Sequence, residues 1–114
     1  LLIQENTFNL DNIKAVKEGM YAVNHGSQGT ARRFFQDFPI KVAGKTGTAQ
    51  ESMVRPDHSL YAGYAPYDSP EVSAVVVIPF SGTNSTTPVF KEILTYYYKL
   101  NEDTTSEQYE NILQ

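Results

Sequence analysis

The chain contains 114 residues, which suffice for one small domain or for a piece of a larger one. Because 40% of the residues are apolar, a modest core can form, and a wholly disordered chain is excluded. The sequence has no cysteine, which excludes a disulfide scaffold and a thiolate metal site. It has only two histidines. A structural zinc ion needs four ligands, so we expect no metal, and we expect no other cofactor.

Charge is distributed unevenly along the chain, whose net charge is −4. The nine basic residues and nine of the thirteen acidic residues lie before residue 100, so residues 1–100 are formally neutral. No basic face stands out, and we expect no nucleic-acid partner. The excess acid lies in the tail, 101–114, where Thr104 and Glu107 resemble a capping box. The sequence is compatible with a short helix in this tail and equally with a frayed end.

The chain begins with Leu1, and none of its apolar runs approaches the roughly 20 residues that span a bilayer. It shows no signal-peptide pattern. We therefore expect a processed or excised piece, whose parent protein can still carry an anchor upstream.

The first element in chain order is a helix over about residues 10–24. Asn9 is a suitable N-cap, and the apolar residues recur at three- and four-residue spacing. Gly26 is expected to end this helix in a left-handed conformation. A loop over 26–30 and one helical turn over 31–35 follow. The apolar stripe of the first helix consists of Ile13, Val16, Met20 and Val23.

Three strands are predicted next, over residues 40–50, 58–65 and 71–79, with short polar connections that favour an antiparallel meander. Thr87 is expected to cap a second helix that has Pro88 at its first position. The apolar face of this helix consists of Phe90, Ile93, Leu94 and Tyr97. The predicted fold class is α+β, a three-stranded antiparallel sheet with a helix from each end of the chain packed on it.

The third predicted strand is apolar on both faces, which is typical of a strand inside a sheet. In a three-stranded meander it would instead be an edge strand with unpaired backbone groups. We expect that a neighbouring strand lies outside this chain. The alternative is that the two helices cover the faces and the edge is tolerated.

The segment with the strongest chemical pattern is Lys45-Thr46-Gly47-Thr48, on the first predicted strand. It presents an ammonium group, two hydroxyl groups and a glycine that leaves room for close approach. Because side chains alternate along a strand, these groups can meet one ligand only along an open strand edge. The pattern indicates a site for a peptide-like anion. Ordinary strand chemistry is the alternative, whereas a P-loop is disfavoured because Pro39 occupies the position of its first glycine.

The motif and its context resemble a known family. Lys-Thr-Gly is shared by penicillin-binding proteins and serine β-lactamases, together with Ser-x-x-Lys and Ser-x-Asn. The flanking residues 42–50 resemble class B penicillin-binding proteins, the high-molecular-mass transpeptidases that crosslink peptidoglycan. Three further stretches resemble the same proteins in the same order: Gly19-Met20 with Gly29-Thr30-Ala31, then 58–66, then 72–79.

The resemblance implies that residues 1–100 are the C-terminal portion of a transpeptidase domain and that 101–114 form an acidic tail. It implies substrate-binding roles for Lys45, Thr46, Gly47 and Thr48 and catalytic roles for Lys45 and Thr48. Lys45 would contact the serine of Ser-x-Asn, and the Thr46 and Thr48 hydroxyls would bind the terminal carboxylate of a D-Ala-D-Ala stem peptide or a penicillin. The Thr48 N–H would supply half of an oxyanion hole.

The nucleophile of this family is not in the sequence. No serine has a lysine three positions later, and Ser-x-Asn does not occur. Since covalent catalysis needs a nucleophile with an adjacent base, we expect this chain alone to be inactive. The expected partners are stem peptides, β-lactams and the remaining N-terminal part of the same domain. The expected location is the extracytoplasmic face of the bacterial membrane, with the anchor upstream.

Two other functions remain open. The chain could be part of a class D β-lactamase or a β-lactam sensor, because these share Lys-Thr-Gly. It could also be a non-catalytic peptide-binding module.

Overall fold

The computed structural model describes residues 8–101, and the tail helix predicted after residue 101 lies outside this range. The elements of the described range are α1 (Leu10–His25), α2 (Arg32–Phe35), β1 (Ala43–Ala49), β2 (His58–Ala65), β3 (Val72–Ile78) and α3 (Thr86–Tyr97). The strands form one antiparallel sheet in the order β1-β2-β3. The predicted meander and the α+β class are therefore confirmed.

Helix α1 begins as the sequence predicts, because the side chain of Asn9 accepts hydrogen bonds from the backbone N–H groups of residues 11 and 12. Its apolar stripe is less buried than expected, since Val16 is 62% exposed. The one buried residue of α1 is Asn24. The prediction for Gly26 was wrong: this residue is extended, with φ −71° and ψ 153°, although its N–H still caps the carbonyl of Ala22.

The chain divides into two compact units, and the first comprises residues 8–46 and 62–74 of the described range. It holds α1, α2, the first part of β1 and the connection between β2 and β3. A hydrogen bond from the Tyr67 N–H to the Lys41 carbonyl, 2.8 Å long, ties this connection to the segment before β1. The fully buried apolar residues of this unit are Ala31, Phe35, Val42, Ala43 and Ala65.

The second unit comprises residues 47–61 and 75–101 of the described range. Its core joins β2 to α3, because the rings of Tyr61 and Phe90 lie 4.6 Å apart and both side chains are fully buried. Leu94 is buried beside them on the predicted apolar face of α3. Ile93 and Tyr97 of that face are at least 40% exposed, so the buried stripe is narrower than predicted.

The predicted start of α3 was wrong by two residues. The helix begins at Thr86, so Thr87 lies inside it rather than capping it and Pro88 is its third residue. The reason is tertiary. The hydroxyl of Ser59, on β2, accepts the Thr86 N–H at 3.3 Å and contacts the Thr86 hydroxyl at 2.9 Å. A neighbouring strand thus supplies the capping group that the sequence pattern assigned to a local threonine.

Strand β2 has the predicted bounds, whereas β1 is shorter than predicted and β3 loses one residue at each end. Residues 40–42 do not join β1 because the backbone of Val42 bonds to α1 instead of to a strand.

Candidate functional site

The end of α1 positions the start of β1. The buried Asn24 amide donates to the Val42 carbonyl at 2.8 Å, and the Val42 N–H donates to His25 Nε2 at 3.2 Å. Both polar groups of this backbone unit are therefore satisfied by two consecutive side chains, and Val42 itself is fully buried. Sequence reasoning missed both residues, because nothing local marks a polar side chain that bonds to a strand 17 or 18 positions away.

Burial along β1 changes at the motif. Ala43 is fully buried and Gly44 is buried, whereas Lys45 and Thr48 are exposed and Thr46 and Gly47 are intermediate. Lys45 Nζ donates to the carbonyl oxygen of Thr46 at 2.8 Å. The sequence-predicted residues thus lie consecutively on one strand, with the ammonium group and the second threonine accessible.

Strand β1 is an edge strand. Within the described residues it pairs with β2 alone, since the sheet order is β1-β2-β3. Its other edge therefore has no strand partner in the part of the chain that the structure describes, and an extended peptide can pair with an edge of this kind. Gly47 packs closely against the neighbouring strand β2, because a Cβ there would lie 3.2 Å from the Leu60 Cβ, tighter than most contacts of this kind.

An open cavity of about 510 Å³ adjoins Lys45 in the first unit. Its other walls are the C-terminal half of α1 and the loop that follows α1, residues 26–30, and its lining is mostly apolar. The last residue of this loop contacts the motif directly: the Thr30 and Thr46 hydroxyl oxygens lie 3.2 Å apart.

Across residues 8–101, His, Asp and Glu side chains do not gather in groups of three or more that could hold an ion. None of the helices in that range is both long and apolar enough to cross a membrane.

The model of the penicillin binding protein transpeptidase domain family matches residues 2–95. The chain belongs to this family. It is 33% identical over 100 residues to the peptidoglycan D,D-transpeptidase MrdA of Haemophilus influenzae. The aligned region covers 74% of this chain and 15% of that protein.

Solved transpeptidases share the fold. The penicillin-binding protein PBP2 of Pseudomonas aeruginosa, in a complex with WCK 5153, superposes with a TM-score of 0.72 and 32% identity over 82% of this chain and 21% of that one. Penicillin-binding protein 2B of Streptococcus pneumoniae gives a TM-score of 0.73 and 27% identity over 87% of this chain and 17% of that one. These findings confirm the predicted family and its fold, and the chain spans only about a fifth or less of these relatives.

Proposed function

We propose that this chain supplies the carboxylate-binding strand and one oxyanion-hole donor of a serine D,D-transpeptidase that crosslinks peptidoglycan. The observation that supports this most directly is the position of β1: an edge strand that carries an accessible ammonium group, two hydroxyl groups and a glycine in sequence. The name of the Haemophilus relative, a peptidoglycan D,D-transpeptidase, supports the same reaction.

Each residue of the motif has a chemical role in this proposal. The hydroxyls of Thr46 and Thr48 hydrogen-bond the terminal carboxylate of a D-Ala-D-Ala stem peptide, and the ammonium of Lys45 sets a positive potential beside it. Gly47 lets the peptide approach the backbone closely. The Thr48 N–H binds the oxygen that becomes negative when the scissile carbonyl is attacked, and one such donor is worth about 3 kcal/mol.

The nucleophile comes from the remaining part of the transpeptidase domain. A serine hydroxyl attacks the carbonyl carbon, its proton passes to a neighbouring base, and the terminal D-alanine leaves as the acyl-enzyme forms. An amine of a second stem peptide then attacks the ester, the new amide forms and the serine is released. A penicillin enters by the same route. The proposed location is the outer face of the cytoplasmic membrane.

Replacing Lys45 tests the proposal in the natural protein that contains this sequence. We expect Lys45→Ala to slow acylation by a fluorescent penicillin on the order of 10²-fold, because the developing negative charge loses its cation. Stopped-flow fluorescence measures the rate. The matched control is Lys14→Ala, which removes another exposed lysine, on α1, and should leave the rate unchanged. Unchanged kinetics for Lys45→Ala with an intact fold would remove Lys45 from the mechanism.

The 114-residue chain by itself should form no covalent adduct with the same penicillin, because it has no Ser-x-x-Lys. Intact-mass spectrometry after prolonged incubation makes the measurement. A serine-linked adduct would show that this chain carries a nucleophile of its own and would refute the division of roles. Rapid hydrolysis of the adduct in the longer protein would favour a β-lactamase instead.

A further inference from the structure

The Thr46 hydroxyl has a partner that lies outside the motif. The hydroxyl of Thr30, at the end of the loop after α1, lies 3.2 Å from Thr46 Oγ1. Thr30 is exposed and also lines the open cavity beside Lys45. It therefore borders the same space that a ligand of Lys45 would enter.

The backbone holds Thr30 firmly. The residue before it, Gly29, donates its N–H to the Gly26 carbonyl at 3.0 Å, and the residue after it, Ala31, donates to the Val23 carbonyl at 3.0 Å. Ala31 is also fully buried. A Cβ on Gly29 would lie 2.5 Å from the Ala22 carbonyl oxygen, so this close backbone approach requires glycine. The backbone at Thr30 is thus fixed by α1 and its loop, and from this position the Thr30 hydroxyl reaches Thr46.

The chemistry of two adjacent hydroxyls explains what this contact can do. A threonine hydroxyl has one proton and two lone pairs, and its proton rotates toward an available acceptor. If the Thr30 hydroxyl donates its proton to Thr46 Oγ1, the Thr46 hydroxyl acts as the acceptor in this contact. Its own proton is then free to be donated to a ligand. Donation in series also polarises the second hydroxyl and strengthens the bond that it gives.

We propose that Thr30 is a positioning residue, which donates to Thr46 Oγ1 and so presents the Thr46 proton to the substrate carboxylate. This inference rests on the proposed function, because it assigns Thr46 to the carboxylate. It adds a residue that lies 16 positions before Thr46 and that need not touch the substrate itself.

The first experiment compares Thr30→Val with Thr30→Ser in the natural protein that contains this sequence. Valine keeps the shape and removes the hydroxyl, whereas serine keeps the hydroxyl. We expect valine to lower the second-order rate of acylation by benzylpenicillin roughly two- to tenfold, the effect of one lost hydrogen bond, and serine to restore most of it. Thr83→Val, at an exposed loop threonine, is the control and should change nothing.

A penicillin whose carboxylate is esterified separates positioning from a general structural effect. The ester cannot accept a charge-assisted hydrogen bond from Thr46. We expect Thr30→Val to leave acylation by the ester unchanged while it slows acylation by the free acid. An equal loss with both compounds would mean that Thr30 only supports the fold, and the inference would be wrong.

The third measurement is a double-mutant cycle with Thr46→Val. If Thr30 acts through Thr46, Thr30→Val has no further effect once Thr46 lacks its hydroxyl. Additive losses would overturn the inference and leave the carboxylate role of Thr46 standing. If Thr46→Val alone leaves free-acid acylation unchanged, the proposed role of Thr46 fails, and the role of Thr30 fails with it.

Discussion

His25 is a titratable side chain that helps to hold the start of β1 in place. Its ring accepts the Val42 N–H and stacks on the ring of Tyr21, with the centroids 4.5 Å apart. Burial is the main reason that the pKa of His25 is below its usual value of about 6.5. The positive charge of Lys41 adds to this shift.

The lowered pKa of His25 predicts that stability depends on pH. Below about pH 6.5 the unfolded chain binds a proton at this ring while the folded chain resists it. The free energy of unfolding should therefore fall as the pH decreases below about 6.5 and level off once the folded ring is protonated too. Above that pH the ring is neutral in both states and the full stability is present.

Urea unfolding between pH 7.5 and 5.5 measures this dependence, and His25→Gln provides the comparison because both proteins contain the same carboxylates. The variant should be less stable at pH 7.5 and should show a shallower decrease toward pH 5.5. Parallel pH profiles for the two proteins would contradict the assignment to His25.

At the scale of elements, α3 is joined to the sheet by a pair of polar residues as well as by its apolar face. Ser59 on β2 and Thr86 at the start of α3 are both fully buried and share two hydrogen-bonding contacts. A buried helix terminus without such a partner would leave backbone N–H groups unsatisfied. The start of α3 is therefore set by a strand that precedes it by more than 20 residues.

Removing this contact should destabilise the fold. We expect Ser59→Ala to lower the free energy of unfolding by about 1–3 kcal/mol, because it leaves the Thr86 N–H buried without its acceptor. Ser73→Ala, at an exposed position on β3, is the matched control and should stay within about 0.5 kcal/mol of the original protein. Denaturant unfolding followed by circular dichroism measures both. A loss no larger for Ser59 than for Ser73 would remove the capping role.

The connection between β1 and β2 is also held by specific contacts. His58 Nε2 lies 2.7 Å from the Glu51 carboxylate, its Nδ1 accepts the Phe80 N–H at 3.1 Å, and its ring lies 4.5 Å from the Phe80 ring. Because His58 begins β2 and Glu51 follows β1 closely, these contacts hold the connection beside the exposed end of β1.

At the scale of the whole molecule, β3 is the second edge strand of the described sheet. Among the described strands it pairs with β2 alone. Val75 and Val77 are 68% and 52% exposed, although both are large apolar residues that strands normally bury. These two valines lie on one face of β3, and the unpaired backbone edge of the same strand is a template for pairing with another strand.

The isolated 114-residue chain should therefore self-associate as its concentration rises. Val75→Lys should weaken this association, because a charge on the edge opposes pairing with a second copy. Sedimentation velocity over a range of concentrations measures the effect. Val89→Lys, at a partly exposed position on α3, introduces the same charge elsewhere and should leave association unchanged. Equal effects of the two variants would show that net charge, rather than the β3 edge, governs association.

Local sequence determined where most elements of this protein lie and the motif to which we assign its chemistry. The Asn9 cap, the bounds of β2 and the consecutive groups from Lys45 to Thr48 depend on neighbours within a few positions, where backbone preference and side-chain alternation act. Tertiary structure alone decided the contacts between distant positions: Thr30 with Thr46, Asn24 with Val42, and Ser59 with Thr86. The physical reason is that a hydrogen bond requires two atoms to lie within about 3.5 Å of each other. For residues far apart in the sequence, the fold sets that distance, and their separation along the chain does not predict it.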